Sequence, residues 1–118
     1  MNDTRIPSLL HDLVRHAERI RDAHAQAGEH IRTDSRVQDA ILWNFVVIGE
    51  VSARLGDDFH DQHPEIPWRA VVDHRNLIAH GYDMLNWDRL IEVIDAEIPI
   101  LIEQATKILH SYGPPPQA

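Results

Sequence analysis

The chain has no cysteine. Disulfides, a thiolate nucleophile and cysteine-ligated zinc are therefore excluded, and a reducing compartment is compatible with that absence. It has one lysine, Lys107; the other ten of its eleven basic residues are arginines. It also has no long hydrophobic run. The longest, Ile41 to Ile48, is interrupted by Asn44, whereas about 20 apolar residues are needed to span a bilayer. Met1 to Arg5 carry no apolar stretch of the signal-peptide kind, so the expectation is a cytoplasmic protein. Positive charge is also short: the formal balance is −8. That argues against a protein that coats nucleic acid by bulk electrostatics, but leaves room for a small basic site on an acidic body.

What is present is a foldable core. Of the 118 residues, 43% are apolar, enough for one domain and too many for a disordered chain. The periodicities predict an all-α fold, a small up-and-down helical bundle over residues 1–112, with a flexible or extended proline-rich tail at 113–118. The first helix is expected to start at Pro7 or Ser8, since proline suits an early helical position. Leu10, Leu13, Val14, Ala17, Ile20 and Ala27 form its stripe, and Gly28 is its stop. The second should be capped by Asp34 or Ser35 and run to about Leu55. It is apolar on nearly every side, with Leu42, Trp43, Phe45, Val46 and Val47 outside the main stripe. So short a chain cannot bury such a helix alone, so part of it is expected to face a second copy. Gly56 to Pro67 reads as a loop. A third helix should begin with Pro67 in its first position, run to about His80 and stop at a left-handed Gly81. A fourth, from Asn86 or Asp88 to about Ser111, carries a bundle seam (Trp87, Ile91, Ile94, Ile98, Leu101, Ala105, Ile108) and should kink at Pro99 or lose one hydrogen bond there.

The chemistry concentrates at the end of the third helix, in Arg75-Asn76-Leu77-Ile78-Ala79-His80-Gly81-Tyr82. A guanidinium can clamp a phosphate through parallel hydrogen bonds, and an imidazole can move a proton near neutral pH. Arg75 shares a stripe with Trp68, Val71, Val72, Ile78, Ala79 and Tyr82 and is its one charged member. A charge there needs a carboxylate or a cleft, and Glu50 and Asp39 on the second helix are the candidate partners. Asn76 and His80 are one turn apart, so the amide could orient the ring. Arg75 and His80 lie about 140° apart around the axis and about 7.5 Å along it. Two copies of the chain would bring two such pairs around one cleft. A histidine in a last turn also complements the helix dipole without any catalytic role.

Several blocks together resemble the HepT-like toxins of the HEPN superfamily. They are Gln38-Asp39-Ala40, Ile48-Gly49-Glu50, His63-Pro64-Glu65-Ile66-Pro67-Trp68, the Arg75 to Tyr82 segment with its arginine, four residues, histidine, one residue, tyrosine spacing, and Glu97-Ile98-Pro99-Ile100-Leu101. His74 departs from the apolar residue expected before the arginine. The resemblance implies a helical homodimer with its arginine–histidine motifs meeting at the dimer interface. It implies a metal-independent endoribonuclease with no cofactor, acting on RNA, and a partner MntA-like nucleotidyltransferase antitoxin that adds AMP to the motif tyrosine. Arg75 and His80 would be catalytic, Asn76 supporting, and Tyr82 the modified residue. RNA supplies its own nucleophile, the 2′-hydroxyl, so a 2′,3′-cyclic phosphate product is expected. The main rival is a non-catalytic nucleotide- or RNA-binding module of the same fold. A metal enzyme is a second, prompted by nine histidines; yet no His-x-x-x-His or His-Glu-x-x-His spacing occurs, and His60 and His63 sit beside Pro64 in the expected loop. A purely structural oligomerisation domain is a third, but leaves Arg75, Asn76 and His80 unexplained.

Overall fold

The computed structural model describes residues 4–113, so the predicted tail lies, apart from Gly113, outside the described residues. The all-helical expectation holds: α1 spans Arg5–Ala27, α2 Ser35–Leu55, α3 Asp57–Gln62, α4 Trp68–Gly81, α5 Trp87–Ala96 and α6 Ile98–Ser111. Short 3₁₀ turns cover Gly28–Arg32 and Tyr82–Met84. Among the described residues no helix is long and apolar enough to cross a membrane.

Helix α1 lies between α2 and α6, and α2 in turn carries α4 on its far side. Leu10, Leu13, Ala17 and Ile20 of α1 are fully enclosed, as are Ile41 and Phe45 of α2 and Ala105 of α6. Each large apolar side chain so buried contributes about 1.5–3 kcal/mol relative to exposure. One polar pair sits at the α1–α2 contact: His16 Nδ1 donates to Asn44 Oδ1 at 2.7 Å, and Asn44 Nδ2 donates to Ala40 O at 2.7 Å. Asn44 interrupts the apolar run of α2 without leaving an unpaired amide, which makes its burial tolerable.

Several boundaries differ from expectation, each for a local reason. Helix α1 begins two residues before Pro7, which is still within the first turn, where a missing N–H costs no hydrogen bond. Gly28 does end it, at φ +54° with its N–H on His24 O. Asp34 caps α2 through Arg36 N. The segment predicted as a loop holds α3, a helix too short to show periodicity; acidic Asp57 and Asp58 occupy its first turn and Phe59 is buried. Pro67 stands one residue before α4 rather than in its first position. Gly81 does not take a left-handed conformation: its φ is −137°, and the chain runs on into the 3₁₀ turn. The predicted fourth helix is two, separated at Glu97 with Pro99 in the first turn of α6. Glu97 keeps right-handed helical angles, its N–H reaching Val93 O and its carbonyl accepting from Leu101 N.

Helix α4 is fixed at its start by an aromatic cluster. Trp68 is buried and its indole N–H donates to His63 O at 2.9 Å. His60 stacks on it with centroids 4.6 Å apart and planes 9° from parallel, and His60 Nε2 donates to Ser52 O at 2.6 Å. The His63 ring lies 4.5 Å from that of Phe59 and pairs with Glu65 at 3.3 Å. His60 of α3 and His63 just after it thus hold α3 and the α4 entry onto the end of α2. His74, where an apolar residue was expected, meets Phe45 edge to face at 6.3 Å, and its Nε2 lies 3.8 Å from Glu97, beyond hydrogen-bond reach, so this buried ring nitrogen has no hydrogen-bond partner among the described residues.

Candidate functional site

Helix α4 crosses α2 with Arg75 above Gly49. A Cβ built on Gly49 would overlap Arg75 Cβ and lie 2.9 Å from its Cγ. The arginine stem therefore rests on bare α2 backbone, and the guanidinium emerges at the rim of the contact. There NH1 donates to Glu50 Oε1 at 2.6 Å, while Nε and NH2 both donate to Asn76 Oδ1, at 3.1 and 2.9 Å. Of the two candidate carboxylates, Glu50 is the partner. It is 58% exposed and Arg75 21%, so the pair is held at a wet edge and is weak in net terms. The guanidinium retains N–H groups beyond these three bonds.

Asp39, the other candidate, faces Tyr82 instead. The phenol Oη donates to Asp39 Oδ1 at 2.6 Å, bridging the N-terminal half of α2 to the turn after α4. The accepting carboxylate raises the Tyr82 pKa above its ordinary value of 10.0, first through this hydrogen bond and then through its negative charge. Tyr82 is nonetheless 58% exposed. The sequence offered both carboxylates to Arg75 and did not signal the Tyr82–Asp39 pair, because Glu50 and Asp39 are eleven residues apart, close to three helical turns, and so share a face of α2.

His80 is exposed on the last turn of α4, and among the described residues its side chain makes no hydrogen bond or ion pair. The predicted support from Asn76 is not what the structure contains: the Asn76 carbonyl oxygen is taken by Arg75. Within one chain, then, Arg75, Asn76 and Glu50 form one cluster, Tyr82 and Asp39 a second, and His80 stands apart from both. Between α2 and α4 runs an open groove of about 370 Å³, lined by Asp39, Leu42, Trp43, Val46, Ile78 and Tyr82 among others. Trp43, at 64% exposed, and Leu77, at 57%, add to the apolar surface of these two helices. Among the described residues no three His, Cys, Asp or Glu side chains converge as a metal-binding group would.

The sequence pattern of the family described as "Ribonuclease HepT-like" matches residues 13–108. The chain is 23% identical over 105 residues to "Putative RNase MJ0127" of Methanocaldococcus jannaschii, covering 88% of this chain and 87% of that one. It is 33% identical over 73 residues to "Probable ribonuclease HepT" of Thermococcus cleftensis, covering 62% of this chain and 66% of that one. It is 31% identical over 71 residues to "Putative RNase TTE0752" of Caldanaerobacter subterraneus, covering 60% and 63%. No solved structure gives a significant match. With a family pattern spanning both clusters and most of the bundle, the chain belongs to the HepT-like ribonucleases of the HEPN superfamily.

Proposed function

We propose that this chain is a cytoplasmic, metal-independent endoribonuclease toxin that works as a homodimer and is silenced when a nucleotidyltransferase antitoxin adds AMP to Tyr82. The observation that carries the reading is the placement of Arg75. Its stem lies in the α2–α4 contact and its guanidinium sits at the rim, against an exposed carboxylate that a phosphate can replace. Arg75 would hold the non-bridging oxygens of the scissile phosphate and stabilise the charge that builds on the phosphorane. His80, free of other partners, would take the proton of the 2′-hydroxyl or return one to the leaving 5′-oxygen. The division of labour calls for two imidazoles, and a second copy docked on the exposed α2–α4 surface supplies the other. Trp43 and the groove beside it give that copy an apolar seat. Adding AMP to Tyr82 would put a phosphate and a base on this same face, excluding RNA by charge and bulk.

The test is incubation of total RNA in EDTA with wild type, Arg75→Ala and His80→Ala. Wild type should cut and leave 2′,3′-cyclic phosphate ends. Both variants should lose cleavage, while His80→Ala keeps RNA binding. Equal cleavage by wild type and Arg75→Ala would refute the site. Binding without cleavage by dimeric wild type would make the protein a non-catalytic RNA-binding module.

A further inference from the structure

We infer that Asp39 is the general base for nucleotidyl transfer to Tyr82, so that the toxin chain carries part of the machinery for its own silencing. The inference rests on the reading of Tyr82 as the modified residue and adds a residue to it. Three observations support it. The Asp39 carboxylate is the acceptor of the phenolic O–H, at 2.6 Å and on a different helix, so the proton that must leave already points at a base. The phenol is 58% exposed, so its oxygen remains open to a reactant from outside. And the phenol is less acidic than usual because of that same carboxylate. At neutral pH the nucleophile is therefore the protonated phenol, which needs a base at the moment of attack.

The step balances with a nucleoside triphosphate as donor. Tyr82 Oη attacks the α-phosphorus and a new O–P bond forms. The bond from that phosphorus to the oxygen bridging to the β-phosphate breaks, and pyrophosphate departs with the electron pair. The phenolic proton passes to Asp39 and then to solvent. The other ionisable groups nearest in sequence are Arg36, one turn earlier on the same side of α2, and His80 and Asp83 on either side of Tyr82. Rates are compared from about pH 7.5 to 9.5, below the ordinary phenol value of about 10.

The experiment uses the full chain, an MntA-like nucleotidyltransferase and ATP labelled at the α-phosphate, with Tyr82→Phe as the blank. In wild type, label appears at a rate that changes little with pH. In Asp39→Asn, which keeps the size and an acceptor oxygen but cannot take the proton, transfer should be about a hundredfold slower at pH 7.5. It should also climb about tenfold per pH unit, because the phenolate must then form unaided. Asp39→Glu should restore the flat profile. A carboxylate that merely shaped the surface would slow transfer by one constant factor at every pH, and that result overturns the inference, as does transfer by Asp39→Asn equal to wild type. If wild type takes no more label than Tyr82→Phe, the modification reading fails and this inference with it, while RNA cleavage by the same preparation remains separately readable.

Discussion

Gly49 and Arg75 share one point of the α2–α4 crossing, and there is room there for only one Cβ. An added Cβ on Gly49 would overlap Arg75 Cβ and approach Cγ and Cδ to 2.9 and 3.1 Å. The obstacle is the root of a side chain on a packed helix rather than its mobile end. Gly49→Ala should regain about 1 kcal/mol of helix propensity and lose about 1–3 kcal/mol to overpacking. The expected net effect is a modest destabilisation in urea unfolding, with a larger loss of RNA cleavage because Arg75 is displaced. A variant as stable and as active as wild type would mean the helices do not cross this closely.

Tyr82 should titrate late, and Asp39 should be the cause. The chain has only two tyrosines, so Tyr112→Phe isolates the signal in an alkaline absorbance titration. Adding Asp39→Asn should return the midpoint to about 10. The sign follows from linkage. A phenol whose folded pKa is raised contributes stability below its unfolded pKa of about 10, and that contribution is lost as pH rises through the folded value. The stability difference between wild type and Asp39→Asn should therefore shrink only above about pH 10. An unmoved midpoint would show that the hydrogen bond is absent in solution.

If Arg75 holds the substrate phosphate, Glu50, its partner in the free chain, competes with that substrate. Replacing it by Gln should cost no more than about 1 kcal/mol of stability, since the pair is at the surface. RNA affinity should rise about two- to fivefold at low salt, and the gain should fade as salt is added. Filter binding over a salt series reads this directly. Weaker binding by Glu50→Gln would instead make the carboxylate a strut that holds the guanidinium in place.

Trp43 should matter to assembly and little to the fold of one chain. It is 64% exposed on α2, beside the groove. Trp43→Glu should leave helix content intact and stability within about 0.5 kcal/mol. In sedimentation it should run as a monomer, and cleavage should disappear with the dimer. A monomer that still cuts RNA would remove the two-copy site.

The sequence made some of this plain and hid the rest for physical reasons. Helix α2 was legible at both ends because its signals are local: Asp34 caps it and Gly56 follows its last apolar residue. The helical course of Arg75 to Gly81 was legible because its signals are local, but its parting into an Arg75 group, a Tyr82 group and a lone His80 was not. The choice between Glu50 and Asp39 was not, since it depends on how α4 lies across α2, and both carboxylates face the same way. Asn76 misled because helical spacing favours His80, whereas Arg75, its neighbour, has the reach to claim the amide oxygen. Gly81 misled because a glycine permits a left-handed stop without requiring one. Helix α3 stayed hidden because six residues are too few to show a repeat.

The moorings of α4 are unequal. Its first turn is clasped by Trp68, His60 and His63, yet from Ala79 to Arg89 not one residue is buried. Local opening is cheapest where few apolar groups are enclosed, so the end that carries His80 and Tyr82 is the first to fray. Whatever settles on that end, whether a twin chain or a strand of RNA, would have to bring the missing order with it.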